Sequence, residues 1–328
     1  MNDQQSTTMS PEDFFKSLKK KSSDTVFLLG NGINRYMKSS VSWNELLKRA
    51  VKKAELLLPE EIEEALDQSE ADPSLNFPEI FSLFENIQRK EEKDNCNAHV
   101  YLKKACADIL SSPQPLKSSL LDYAKYHKKD IITLNFEFAI EDYLGISHPR
   151  NNRNQNNNGI PKQSFYNYLF ECFGSLNTAR VWHIHGHCNI PQTIRLSLED
   201  YICTFNYIKE HLFVTEDGKQ HHNPIDDGNW IGAGSCIEKF FHNRLIIAGC
   251  SLKSEEVLLR ALLLYKYRSQ VTRRVDEETS GYYLTVKADN KADKKDKYTF
   301  LKMLNFKIVE FNSYDDLYNS EKWSELCK

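Results

Sequence analysis

Apolar residues in this chain gather in two patterns. One is the short unbroken run: Thr25–Leu29, Asp130–Asn135, Arg180–His185, Arg244–Ala248, Tyr282–Val286 and Lys307–Phe311. Such runs do not alternate with polar residues, which is how strands buried on both faces of a parallel sheet read. The other pattern spaces apolar residues three and four apart. It extends from Trp43 to about Lys128, through Leu46, Leu47, Ala50, Val51 and Ala54, and later Phe81, Leu83, Phe84 and Ile87. Asp72-Pro73 and Pro113–Pro115 divide it into several helices. A short helix opens at Ser10-Pro11, with the serine as cap and the proline in the first turn, and runs to about Lys21. Others follow Asn135 (Ala139, Ile140, Leu144), span Glu255 to Tyr265, and cover Tyr298–Leu304. Strands separated by helices predict the α/β class. The expected architecture is a Rossmann-like, mostly parallel sheet covered on both faces, with a large helical insertion.

No internal repeat interrupts this order, so one domain over 1–328 is expected. Its core comprises 24–42 and 129–312, and 43–128 forms a helical subdomain. Residues 149–164 (PRNNRNQNNNGIPKQS) are Asn-rich and aperiodic, which predicts a flexible loop. The lysine-rich stretch 287–297 reads as a solvated loop, and the Gly-Ala-Gly at 232–234 as another.

Composition narrows the classes. With 328 residues, 40% hydrophobic and 27% charged, the chain is long and apolar enough to bury a core. Its 43 Lys+Arg against 46 Asp+Glu give a net charge of −3, which excludes a global basic footprint, so no direct nucleic-acid binding is expected. No apolar stretch approaches a membrane span, and the first residues lack the basic-then-apolar profile of a secretion signal. A cytoplasmic protein with reduced thiols is the expectation. The eight cysteines lie at 96, 106, 172, 188, 203, 236, 250 and 327, the closest pair ten apart, so no Cys-x-x-Cys clip for a zinc ribbon exists.

The chemistry concentrates where strands end. Open α/β sheets bind ligands outside the carboxyl ends of their strands, and four such ends carry unusual residues. Gly30-Asn31-Gly32 allows backbone N–H groups to approach a phosphate, with Arg35 as a phosphate partner; alternatively it is an ordinary glycine turn. Arg35 occupies the place where the dehydrogenase fingerprint G-x-G-x-x-G needs its third glycine. Asn135 ends a strand and either holds a water or carboxamide or caps the next helix. His183, His185 and His187 alternate and would share one face of an extended strand. Three imidazoles on one face suggest a metal, but Gly186 breaks the strand and no carboxylate stands nearby in sequence, so His185 as a general base is preferred. At Gly249-Cys250-Ser251, the glycine permits close backbone approach and Ser251 can bond a ribose or cap a helix. Cys250 reads as a packed thiol.

Taken in order, these pieces resemble the sirtuin-like family, in particular its prokaryotic antiphage-defence branch of NAD hydrolases that lack the zinc ribbon. Gly30-Asn31-Gly32-Ile33-Asn34 is similar to the family's Gly-Ala-Gly-Ile-Ser loop, and Ser42-Trp43 with Leu46-Leu47 to its Trp-x-x-Leu-Leu helix. Thr133-Leu134-Asn135-Phe136-Glu137 resembles the Thr-x-Asn-x-Asp strand, with Glu141 in the helix that follows. His185-Gly186 resembles the His-Gly motif, Ser197–Tyr201 an Asp-Tyr element, and Gly249–Leu252 the Gly-x-Ser-Leu turn. Asn31 and Asn34 replace the family's alanine and serine, and Glu137 its aspartate.

The resemblance implies NAD as substrate, with Gly30, Asn31, Gly32, Asn34, Arg35, Glu137, Gly249 and Ser251 binding it. It implies cleavage of the nicotinamide–ribose bond, with Asn135 holding a water or the carboxamide. His185 would accept a proton near its ordinary pKa of about 6.5. It also implies NAD depletion in antiviral defence, with no metal and no deacetylation. A homo-oligomer follows from the same source, assembled with a separately encoded protein such as a helicase-like ATPase. Two alternatives stay open: a non-catalytic NAD or ADP-ribose sensor or assembly subunit, and a metal-dependent hydrolase using His183, His185 and His187.

Overall fold

The structure is a computed structural model that describes residues 8–20, 25–37, 42–56, 59–68, 77–91, 98–111, 116–148, 165–213, 230–253, 256–272, 279–287 and 291–328. The Asn-rich stretch 149–164 therefore lies outside the described residues. In chain order the elements begin with β1 (Thr8–Met9), α1 (Pro11–Lys20), β2 (Thr25–Leu29) and α2 (Gly32–Tyr36). Five helices follow: α3 (Trp43–Lys53), α4 (Glu60–Gln68), α5 (Phe77–Glu91), α6 (Ala98–Leu110) and α7 (Ser119–Tyr126). Next come β3 (Asp130–Thr133), α8 (Ala139–Leu144), β4 (Phe173–Gly174), β5 (Arg180–His183), α9 (Leu198–Tyr207) and α10 (Cys236–His242). The chain closes with β6 (Arg244–Ala248), α11 (Val257–Thr272), β7 (Gly281–Val286), α12 (Lys291–Met303), β8 (Phe306–Phe311), α13 (Tyr314–Asn319) and α14 (Glu321–Glu325).

The strands form one sheet in the order β1-β8-β7-β6-β2-β3-β5-β4, parallel except for β4 against β5. This is a mixed α/β fold with a mostly parallel sheet, as the apolar runs predict. The successive side chains of each central strand feed two separate cores. Phe27, Leu29, Ile131, Val181 and Ile246 face a layer built from α1, α7, α8, α13 and α14. Val26, Leu28, Ile132, Trp182 and Leu245 face α9, α10, α11 and α12. Both faces are covered, so every residue of β2 is buried and the alternation that marks a half-exposed strand never arises.

Helices α3 to α6 have their own apolar cluster, in which Leu46, Leu47, Phe81, Phe84 and Leu102 meet Phe136, Ile194 and Leu196 from the sheet's carboxyl edge. Helix α7, by contrast, packs on the sheet with α14, so the helical segment that stands apart from the sheet layers ends before it. Local signals fix several helix starts. Ser42 Oγ accepts from the Glu45 N–H at 3.2 Å to open α3, and Ser197 forms a reciprocal capping box with Asp200 to open α9.

Two expectations change, and further elements appear that the sequence pattern did not announce. The strands expected to reach Asn135 and His185 end at Thr133 and His183, because the chain turns out of the sheet to form the site. The described part of the lysine-rich stretch, from Lys291, is the first part of α12 rather than a loop. The short edge strands β1 and β4 have too few residues to show a pattern in the sequence. Helix α2 begins at Gly32 itself and carries Arg35. Among the described residues, no helix is long and apolar enough to cross a membrane.

Candidate functional site

The connections of this sheet run outward in opposite directions from the β2–β6 pair, and the site lies at the carboxyl ends of those two strands. Leu29 pairs with Ala248, and both strands exit through glycine. The Gly30 N–H donates to Ala248 O at 3.0 Å and the Gly32 N–H to Gly249 O at 2.9 Å. A Cβ on Gly30 would lie 2.5 Å from Gly249 O, and one on Gly32 would lie 2.6 Å from Gly249 Cα. Gly249 itself has φ +70°, and a Cβ there would come within 2.9 Å of the Ile33 nitrogen. These glycines thus have a first duty to one another: two turns lie in backbone contact, which leaves a smooth floor beside them.

A cavity of about 390 Å³ opens over that floor. Gly30, Asn31, Gly32, Arg35, Gly249 and Ser251 line it, as does His185. Leu134, Phe136, Leu196 and Tyr201 join them from the β3 and β5 ends, and Trp43, Phe77 and Pro78 from the helical segment. Tyr283, Thr285 and Lys297 extend it past the end of β7. Its charged lining is Arg35, Lys253 and Lys297 against Glu256, an excess of positive charge. Trp43 is held by edge-on contact with Phe136, ring centroids 5.3 Å apart, and by Phe77 at 5.9 Å.

His185 is 3% exposed; its ring packs on Tyr201 at 5.1 Å, and its Nε2 has no hydrogen-bond partner among the described residues. Burial, and then the Arg195 cation, push its pKa down to about 4, well below the ordinary value the sequence suggests. The imidazole is therefore neutral at pH 7 and offers a lone pair. Arg195 also donates its backbone N–H to the His185 carbonyl at 2.9 Å, fixing the chain after the Gly186 turn. Gly186 has φ +81°, and a Cβ would lie 2.0 Å from Thr193 O, so a side chain there would collide with this connection.

Behind the cavity wall lies a second group of predicted residues. Asn135 is 1% exposed and does not line the cavity, although Leu134 and Phe136 on either side of it do. Its main chain is clamped: the N–H donates to Thr133 Oγ1 at 3.1 Å, and the carbonyl accepts from His183 Nδ1 at 2.6 Å. Both polar atoms of its side-chain amide have no partner among the described residues. Asn34 donates to Glu137, and neither lines the cavity. Burial raises the Glu137 pKa, which favours the neutral acid.

Of the three alternating histidines, His183 and His187 meet with ring centroids 5.6 Å apart, and His185 points elsewhere. His183 Nε2 bonds Glu141 Oε1 at 2.8 Å and His187 Nε2 bonds Glu171 Oε2 at 2.8 Å, while His185 turns to the cavity. Burial alone would lower the pKa of His183, but the Glu141 carboxylate and the hydrogen bonds outweigh it and raise it. Burial lowers that of His187. Among the described residues, no group of three or more His, Cys, Asp or Glu side chains is arranged to hold a metal ion. The Cys250 thiol lines the cavity but is driven far up in pKa by burial, which suits packing rather than attack.

Sequence reasoning misses several lining residues: Phe77, Lys253, Glu256, Tyr283, Thr285 and Lys297. Lys297 is hidden in a lysine-rich stretch, and only the packing of α12 beside β8 separates it from its neighbours. No protein-family model matches the chain, and no curated protein matches its sequence.

Proposed function

We propose that this chain is a sirtuin-like hydrolase of NAD that cleaves the nicotinamide–ribose bond, giving nicotinamide and ADP-ribose. The observation that carries the reading is the unpartnered, buried Nε2 of His185 at a cavity floored by the β2 and β6 glycine turns. Strand order supports it: numbering the six central parallel strands in sequence gives 3-2-1-4-5-6, the Rossmann order, with the cavity at its switch point. The volume falls in the range of small-molecule sites, and Arg35, Lys253 and Lys297 suit an anionic diphosphate.

Loss of nicotinamide develops oxocarbenium character on the ribose, so the site must position an acceptor and remove a proton. In this reading neutral His185 accepts the proton from a ribose hydroxyl or from water. Asn135 lies behind the cavity wall, so its uncommitted amide supports the site through the lining residues Leu134 and Phe136 on either side, on a main chain that His183 and Thr133 hold still. Trp43 and Phe136 exclude bulk water on one side. The antiphage setting, NAD depletion and assembly with a partner rest on the resemblance alone.

The test is nicotinamide release from NAD by purified wild type, Asn135→Ala and His185→Ala. His185→Ala is expected to lower the rate by about 10²-fold or more, the scale of a lost proton acceptor, and Asn135→Ala to lower it less. Release by His185→Ala at the wild-type rate would refute the mechanism. A second reading is favoured by the lowered basicity of His185: a non-catalytic NAD or ADP-ribose sensor. Calorimetric binding without nicotinamide release identifies it.

A further inference from the structure

Outside the cavity, adjacent to His185, lies a buried cluster of charges that the reaction above does not use. Lys103 of α6 donates to Asp200 Oδ1 at 2.8 Å, and Arg195 Nη1 donates to the same oxygen at 3.3 Å. Asp200 Oδ2 accepts the backbone N–H groups of Leu196 and Ser197 at 3.0 and 3.3 Å. Arg195 continues to Tyr168 Oη at 3.4 Å and the Phe165 carbonyl at 3.0 Å, and its guanidinium lies 4.8 Å from the Tyr166 ring centre. Lys103, Arg195 and Asp200 are 1%, 6% and 7% exposed. Glu85 of α5, also buried, is within electrostatic reach of Lys103. Apolar residues of similar volume stabilise such an interface as well or better, so a buried ion triad points to a task other than adhesion.

Its connections show what the task is. Arg195 bonds the His185 carbonyl through its backbone, Tyr201 follows Asp200 and packs its ring on His185, and Lys103 belongs to the segment that brings Trp43 and Phe77 to the cavity. We propose that Lys103, Asp200 and Arg195 are positioning residues through which the helical segment α3–α6 sets the placement of His185 and the charge it faces. For catalysis this rests on the NAD-hydrolase reading; for His185 itself it does not.

The physics is a shared anion. Asp200 divides one oxygen between two cations, so what Lys103 takes leaves Arg195 less neutralised. Arg195 is the charged group that acts on His185, and a cation there disfavours the imidazolium. Removing Lys103 would leave Asp200 wholly to Arg195, screen it, and make His185 more basic, so the sign of any change in kcat reports whether the charge or the placement of His185 dominates. The seating of the helical segment thereby reaches the proton acceptor without touching it.

The experiment is an NMR titration of the His185 imidazole in wild type, Arg195→Met, Arg195→Lys and Lys103→Met, with spectral dispersion as the check of folding. Nicotinamide release is measured in parallel. The His185 midpoint should rise by about one unit or more in Arg195→Met, rise less in Lys103→Met, and stay within about half a unit of wild type in Arg195→Lys. Where NAD is turned over, Lys103→Met should change kcat and its pH profile with KM little changed, because Lys103 does not line the cavity. An unchanged midpoint in folded Arg195→Met or Lys103→Met overturns the proposal. If Arg195→Met does not fold, Arg195→Lys decides: a midpoint at the ordinary histidine value overturns it. Absence of turnover in wild type refutes the hydrolase reading and leaves the titration result standing.

Discussion

Acid should destabilise this protein in a way that one residue, His185, can be made to report. In the unfolded chain its imidazole takes up a proton near 6.5, whereas in the fold burial and Arg195 hold the pKa to about 4. A histidine whose folded pKa is depressed favours the fold above the unfolded pKa and loses that contribution as pH falls toward the folded one. Across those two values the loss reaches about 3 kcal/mol at pH 4 and about 2.5 kcal/mol at pH 4.5. Other groups contribute as well: His187 with the same sign, Glu137 and His183 with the opposite one, their stabilisation fading as pH rises through their raised folded values. A paired comparison isolates His185. Urea unfolding of wild type and His185→Gln at pH 7.5, 6, 5 and 4.5 gives the stability gap between them, with glutamine unable to titrate. Wild type should lose ground on the variant steadily below pH 6.5, by about 2.5 kcal/mol at pH 4.5, with the urea slope unchanged. A gap constant to within about 0.5 kcal/mol over that range would show that His185 titrates alike in both states. The account of its environment would then fail.

Two further substitutions probe the framework of the site. Gly249→Ala places a methyl 2.9 Å from the Ile33 nitrogen at φ +70°. It should cost about 2 kcal/mol or more in thermal or urea unfolding and weaken NAD binding by calorimetry, whereas Gly145→Ala, also at positive φ but with open space, should carry only the φ cost of about 1 kcal/mol. Glu141→Leu strips the fully buried His183 of its partner and should destabilise by about 3 kcal/mol or more, while Glu141→Gln, which still accepts a hydrogen bond, should cost clearly less in the same unfolding assay.

The sheet was legible in the sequence because a strand buried on both faces reads as a short apolar run, as β2, β3, β5, β6 and β7 do, while β8 keeps enough of it around Lys307 and Glu310. Where the strands end was harder to read. Leu134 and Ile184 still donate one N–H each to the neighbouring strand, but Asn135 and His185, which continue the run in composition, have left the ladder. Hydrophobicity reports burial and not hydrogen bonding, and these residues are buried in the walls of the site rather than in the sheet. The same confusion made three alternating histidines look like one face. The alternation holds only while the backbone is extended, and β5 stops at His183.

The site itself divides along a physical line. Gly30, Gly32, Gly249 and His185 could be picked out because their chemistry is local: a glycine at a strand end, a histidine before a turn. Lys103, Arg195 and Asp200 have no such local mark, and their meaning comes from partners 97 and 5 residues apart in the chain. A lysine between Leu102 and Ala105 in an apolar stretch of helix is nevertheless a signal. A buried ammonium demands an anion, and the anion must come from another element. Asp200, already fixed by its capping box, is that anion. Helix α6 is therefore tied to the segment around His185 by a requirement of charge, beside the hydrogen bond that Ser82 of α5 accepts from the Leu198 N–H at 3.0 Å. The tie joins the helical segment to the one imidazole that, among the described residues, lines the cavity.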